Sequence, residues 1–345
     1  MKALVVEKGG ALSIRELPMP KIKEYQALVK VLSCGVCAGT DMKIVHGEFK
    51  HYHNYPALLG HEGVGEVIEV GSKVGCFKIG DRVMLPYVEG VLDGVYPGYG
   101  GFAQYAVVGD RDAAALCGCG PGTPDFNEAY YAQTTVPDYI SSIDAVMIVT
   151  FREVLSAMKR FGFKENETAV IYGCGPVGLC FVKFASLLGL SKVIALDIVE
   201  EKLDDAKRLG ADHVFLNGEG VTDKIMEICP GGVDHVVDAV GVNGIINEAM
   251  KLVKYNGKID IYGISPYLGM NLDWSQSPYN WNLHFVQMPF KGEELEANQT
   301  ILNWIKSGVL VPADFISDIL PFDKIIEGFE RTEAKQVAKK MVITF

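Results

Sequence analysis

Thr168-Ala169-Val170-Ile171-Tyr172 runs directly into Gly173-Cys174-Gly175-Pro176-Val177-Gly178, and Lys192-Val193-Ile194-Ala195-Leu196-Asp197 follows. The first run is apolar, too short for a helix and bounded by glycine, so it reads as a buried strand. The residues from Pro176 through Leu188 read as a helix, and Lys192 to Leu196 as a second strand that closes on Asp197. Within that strand, turn, helix and strand, G-x-G-x-x-G is a dinucleotide fingerprint. Gly173 permits the tight turn, Gly175 lets backbone approach a pyrophosphate, and Gly178 lets helix and strand pack closely. The helix N-terminus offers free N–H groups and a partial positive charge to phosphates. Pro176 and Val177 complete the candidate cofactor loop. Asp197 would accept hydrogen bonds from both ribose hydroxyls and repel a 2′-phosphate, so NAD is expected and NADP is not.

Outward from this unit, strand and helix alternate from Ser142 to about Gly263, the pattern of a parallel sheet covered on both faces. Met1 to about Pro137 differs: short apolar runs such as Ala27 to Leu32 and Asp81 to Leu85, punctuated by Gly and Pro, read as β-rich. From about Pro289 an amphipathic segment, Leu295 to Ser307, and a closing strand, Lys340 to Phe345, are expected to return to the first domain. The expected organisation is therefore α/β, with a β-rich domain over 1–149 and 289–345 and a doubly wound domain over 150–288. Arg111 to Pro137, rich in Gly, Pro and small polar residues, reads as a long surface loop.

With 345 residues, 49% of them hydrophobic and 22% charged, the chain can bury two cores and is not a largely disordered protein. Its net charge of −11, without a block of like charges, argues against nucleic acid or an anionic membrane as partner. The opening MKALVVEKGG lacks an export signal's apolar stretch, and Thr168 to Leu190 is broken by Lys183 and glycines, so a cytoplasmic protein is expected. The eight cysteines then read as reduced thiols or metal ligands.

Cys34-Gly35-Val36-Cys37 has the spacing of a zinc knuckle or a redox pair, but neither has its other half here. Cys117-Gly118-Cys119 has one residue too few between its thiols. His61 and Glu62, in Leu59-Gly60-His61-Glu62-Gly63, are better partners for Cys37: thiolate, imidazole and carboxylate together suit zinc. Three protein ligands and one open position make a catalytic arrangement.

Gly35-Val36-Cys37, Thr40-Asp41, Gly60-His61-Glu62-Gly63, Val70-Gly71, Phe77 to Val83, Gly101 to Tyr105 and Gly173 to Gly178, in that order, resemble the zinc-dependent medium-chain dehydrogenases. The resemblance covers nearly the whole chain. It implies a GroES-like catalytic domain built from both chain ends, a Rossmann domain between, one small-molecule alcohol or polyol substrate, and a homodimer or homotetramer. It implies Cys37 and His61 as zinc ligands, Glu62 as ligand or close neighbour in catalysis, Asp41 orienting His61, and Thr40 passing the substrate proton outward. Asp197 and Lys202 would hold the adenosine ribose, and Lys340 would lie near the pyrophosphate.

Four departures from the family pattern stand out. The slot for another zinc ligand falls on Val149 or Thr150, neither a good donor, with Glu153 one helical turn further on as the candidate substitute. No cysteine lies between Cys76 and Cys117, so one catalytic zinc and no structural zinc is expected. Cys37-Ala38-Gly39-Thr40-Asp41 carries one residue more than the usual C-x-T-D, and Lys43 stands where a relay histidine often follows the Asp. The expected activity is reversible hydride transfer between NAD and a secondary alcohol, a polyol or sugar alcohol first among them, with Tyr52, His53, Trp274 and Trp281 as candidate pocket walls. Its rivals are a zinc-free alkene or quinone reductase of the same superfamily and a non-catalytic NAD(H)-binding protein.

Overall fold

Strands and helices follow one another along a computed structural model that describes residues 1–345, and they gather into two compact units, Met1–Thr150 with Phe290–Phe345, and Phe151–Pro289. The first unit contains β1 (Lys2–Val6), β2 (Leu12–Glu16), β3 (Gln26–Val36), α1 (Asp41–Val45), β4 (Ala57–Leu58), β5 (Glu62–Val70), β6 (Arg82–Met84), β7 (Tyr105–Gly109) and α2 (Arg111–Leu116). Helix α3 (Ser142–Phe161) leads out of it. The second unit holds β8 (Thr168–Tyr172), α4 (Pro176–Leu187), β9 (Lys192–Asp197), α5 (Leu203–Leu209), β10 (His213–Leu216), α6 (Val221–Ile228), β11 (Val233–Asp238), α7 (Gly244–Leu252), β12 (Val253–Ile261) and β13 (Asn282–Phe285). The chain then returns to the first unit with α8 (Lys291–Lys306), β14 (Ile316–Pro321), α9 (Ile325–Glu333) and β15 (Lys340–Thr344). No helix is long and apolar enough to cross a membrane.

In the first unit β3 is the spine. It pairs antiparallel with β5, β7 and β15, within a sheet ordered β14-β15-β3-β5-β6. The register sets Val342, Gly35 and Glu62 in one row across β15, β3 and β5. Lys340, two residues before Val342, points to the same face. Side chains from β1, β3, α1, α9 and β15, among them Leu4, Cys34, Ile44, Phe329 and Ile343, form the core beneath.

The second unit is one parallel sheet ordered β10-β9-β8-β11-β12-β13. From β8 the chain winds outward through β9 and β10, then starts again at β11 and winds the other way. The loop after β8 therefore lies at the topological switch point, where such sheets open a crevice. Val170, Tyr172, Ile194, Leu196 and Val236 meet Val221, Ile225, Ile246 and Met250 of α6 and α7 on one face. Ala169, Ile171, Val193 and Ala195 are equally buried, which is why these strands read as continuous rather than alternating apolar runs.

One reading changes. The segment from Arg111 to Pro137 is not all loop: α2 opens it, and a short 3-10 turn, Glu128–Tyr131, follows. Asp110 caps α2 by accepting from the Asp112 and Ala113 N–H groups, and its other oxygen accepts from Gly75 and Cys76. Ala113 and Ala114 then pack on Tyr25 and Tyr130 in a small satellite core. The glycine and proline content of the rest of the segment masks this capped helix.

Candidate active site

In the first unit Cys37 follows the end of β3 and His61 precedes the start of β5, so the β3–β5 pairing that joins Gly35 to Glu62 carries both side chains to one place. One ligand atom from each of Cys37, His61 and Glu62 lies within 4.8 Å of the other two. Asp41, fully buried at the start of α1, ties the two loops together. Its Oδ2 accepts from the Cys37 N–H at 2.9 Å, its Oδ1 from the Gly60 N–H at 3.4 Å, and the same Oδ1 lies 3.6 Å from His61 Nδ1. Burial opposes charge on His61, but Asp41 and Cys37 outweigh it and hold the imidazole well above the ordinary histidine range. The sequence points to Asp41 as the group that orients His61, and the carboxylate sits where it can do so.

Asp41→Asn keeps the size but turns one oxygen into a donor facing backbone N–H groups. Zinc affinity is expected to fall about 10- to 100-fold. Competition titration of the metal-free protein against a chromogenic chelator reads this directly.

Glu62 is held from the far side. Lys340 Nζ lies 2.7 Å from both carboxylate oxygens, and the Thr150 hydroxyl donates to Oε1 at 3.1 Å. All three residues are buried. Gly35 makes room for the pair, since a Cβ there would meet Glu62 Oε2 at 2.3 Å and Lys340 Cδ at 3.2 Å. This corrects the expectation for Lys340: its ammonium is taken up by Glu62, in the row that β15 shares with β3 and β5. Thr150 occupies the slot of the missing ligand and serves Glu62 as a hydrogen-bond donor. Glu153 falls in the second unit and is not part of the triad. Thr40 is buried at the N-terminus of α1 and spends no side-chain bond on capping it. Lys43 of α1 is close enough to Cys37 for the two charges to interact, against the burial that lowers its pKa.

The aromatic wall differs from the expected one. Tyr52 packs edge-on to Tyr55, and Trp274 is exposed. The ring 5.0 Å from His61 is Tyr99, which meets Tyr87 edge-on at 5.6 Å, and the Tyr87 hydroxyl donates to the His61 carbonyl at 3.4 Å. These two tyrosines line a cavity of about 290 Å³ with Glu89, Pro97 and Asn127. Both lie in Gly- and Pro-rich text without periodicity, which offers no signal of their position.

The donor set fits a zinc ion on its own chemistry: a soft thiolate, an imidazole and a carboxylate converge, and a buried His61 Nδ1 is left without a close hydrogen bond. The second unit carries the nucleotide loop. Gly178 lies so close to Gly173 that a Cβ would meet its carbonyl oxygen at 1.7 Å. Above Gly175 nothing lies within 4 Å of an added Cβ, and α4 has neither a side-chain cap nor an acidic residue in its first turn. That leaves open space and uncapped N–H groups for an anion. Asp197 ends β9 and braces the loop, accepting from the Cys174 N–H at 2.7 Å and the Val199 N–H at 2.9 Å. Burial, then the Asp197 charge, push the Cys174 thiol up to about 12, against the pull of the Lys202 charge.

Two family models match the chain: the alcohol dehydrogenase GroES-like domain over residues 23–117 and the zinc-binding dehydrogenase domain over residues 176–303. An alcohol dehydrogenase of Geobacillus stearothermophilus is 30% identical over 361 residues, 99% of this chain and 98% of that protein. Sorbitol dehydrogenase of Bombyx mori is 26% identical over 99% of this chain and 97% of its own length. Galactitol-1-phosphate dehydrogenase from Escherichia coli shares the fold, with a TM-score of 0.81 at 22% identity over 100% of both chains. With a GroES-like domain, a parallel nucleotide-binding sheet and a relative alike along its whole length, this chain belongs to the zinc-dependent medium-chain alcohol dehydrogenases, oxidoreductases that act on a small-molecule alcohol with zinc and a nicotinamide cofactor.

Proposed function

We propose that the protein interconverts a secondary alcohol, of the polyol or sugar-alcohol class, and its ketone, with NAD as the hydride carrier and a single catalytic zinc. The observation that carries this reading is the convergence of Cys37, His61 and Glu62. When bound, zinc supplies Lewis-acid polarisation at the substrate oxygen and the nicotinamide ring exchanges the hydride. Cys37 and His61 would hold the metal, with Glu62 as the third donor. Asp41, 3.6 Å from His61 Nδ1, orients the ring. Thr40, whose hydroxyl is not committed to its helix, takes the substrate proton. The Tyr99 ring, packed edge-on against Tyr87, keeps water from one side of His61. Lys340 neutralises Glu62 so that the buried carboxylate can stand beside a thiolate.

Metal analysis of protein purified without chelator, combined with a panel of polyols and NAD followed by reduced-nicotinamide absorbance, tests the reading. About one zinc per chain with turnover supports it. Turnover that survives complete zinc removal favours the zinc-free reductase, and NAD binding with neither metal nor turnover leaves a non-catalytic binder.

The preference for NAD is assigned to Asp197, because a carboxylate at the end of β9, beside the glycine loop, would repel a 2′-phosphate. The wild-type protein is expected to favour NAD over NADP about 100-fold in kcat/KM, or roughly 2.7 kcal/mol. In Asp197→Ser most of that ratio should vanish, through a raised KM for NAD and a lowered one for NADP. A wild-type ratio near unity would refute the assignment.

A further inference from the structure

Cys117, Gly118 and Cys119 close helix α2. The Gly118 N–H bonds to the Ala115 carbonyl at 3.1 Å and the Cys119 N–H to the Ala114 carbonyl at 2.9 Å, with Gly118 at φ +79°. These are the two bonds of a Schellman closure, in which glycine takes the left-handed position and the residues on either side are drawn together. Two positions apart, the cysteine Cα atoms can be separated by about 7 Å at full extension. A left-handed turn at Gly118 draws the two closer than that, toward the window of about 4.4–6.8 Å that a disulfide spans.

Both cysteines carry free thiols, both are half-buried, and both pack on the Tyr25, Ala113 and Tyr130 cluster. Cys119 Sγ is folded back to 3.9 Å from the Cys117 carbonyl oxygen. Two lysines lie nearby. Lys73 interacts with the Cys117 thiol, and Lys23, 5.5 Å above the Tyr25 ring, shares its surroundings with Cys119. At Cys76 burial of the sulfur, then the charge of Asp110, push the thiol up to about 12. The metal site uses neither Cys117 nor Cys119.

We propose that Cys117 and Cys119 form a reactive dithiol site whose partner is a low-molecular-weight disulfide, and that it closes reversibly into a disulfide across Gly118. The Cys117 thiolate attacks one sulfur of the small disulfide, forming a mixed disulfide and expelling one thiolate. Cys119, after loss of its proton, attacks the Cys117 sulfur and expels the second. Two protein thiols are oxidised, one small disulfide is reduced to two thiols, and both protons leave with the products. So short a loop strains the bond, which makes it readily reducible rather than a structural staple.

The test uses the full-length zinc-loaded chain, in which Cys37 is protected, incubated with oxidised glutathione, quenched with an alkylating agent and mapped by peptide mass. The peptide containing residues 117–119 is expected to lose two hydrogens, refuse the alkylating agent, and recover both thiols in excess reduced glutathione. Cys119→Ser should stop at glutathione on Cys117, and Cys76 should react at least about tenfold more slowly than the pair. Circular dichroism confirms that the variant is folded. Alkylation of both thiols after prolonged exposure, pairing of either with another cysteine, or a Cys119→Ser protein that takes up no glutathione at Cys117 would each overturn the proposal.

Discussion

Cys37→Ala is expected to empty the metal site and to lower kcat/KM about 1000-fold or more, a loss of roughly 4 kcal/mol of transition-state stabilisation. Cys37 is the one sulfur in the triad, and the two ligands that remain are less able to hold a divalent ion. His61 would keep Asp41 beside it, but Glu62 already has a cation in Lys340 and would lose little by staying with it. Zinc content, about one per chain in the parent, should fall below about a tenth of that after dialysis. The effect exceeds that of Asp41→Asn because Asp41 only aims a ligand, whereas Cys37 is one. The fold offers a control. Cys37 lies at the rim of its sheet and is only partly buried, so the variant should melt close to the metal-free parent. A Cys37→Ala protein that keeps its zinc and its turnover would end the zinc mechanism.

How far the site could be read from the text depended on how each residue reaches it. The glycine loop is local: Tyr172, Gly173, Gly178 and Asp197 lie within one strand-helix-strand unit, and the lack of room for a Cβ at Gly178, which would fall 1.7 Å from the Gly173 oxygen, is a demand that the motif itself encodes. Cys37 and His61 are also legible, because few arrangements place a thiol, an imidazole and a carboxylate in glycine-rich text without a use for them. Lys340 is different. It lies 278 positions from Glu62, and the two meet only because β15 pairs with β3 on the side away from β5, with a glycine between. Nothing in Lys339-Lys340-Met341 states that register, and a lysine in a terminal strand reads as solvated. Thr150 reads in the sequence as a poor ligand; that it is a good donor to Glu62 becomes visible only when the carboxylate is in place. Tyr99 and α2 were hidden for a related reason, since packing and capping give them their places where composition spoke for loop.

Lys340→Met tests whether Glu62 belongs to the metal or to the lysine. The methionine fills similar volume but leaves a carboxylate, 1% exposed, with the Thr150 hydroxyl and no buried cation. Breaking a buried pair in this way costs about 3–5 kcal/mol, so the metal-free variant should unfold in urea with a stability lower by about that amount. Bound zinc offers Glu62 a second source of positive charge. If the carboxylate is a ligand, the gap between variant and parent should narrow by roughly 1.4–2.7 kcal/mol once zinc is added. By reciprocity of linkage, the variant should then bind zinc about 10- to 100-fold more tightly than the parent, because Lys340 no longer competes for the carboxylate. The two measurements are independent, one by denaturation and one by chelator competition, and must agree in sign and size. An unchanged gap together with unchanged zinc affinity would mean that Glu62 stays with its lysine, leaving Cys37 and His61 as the protein's whole contribution to the metal.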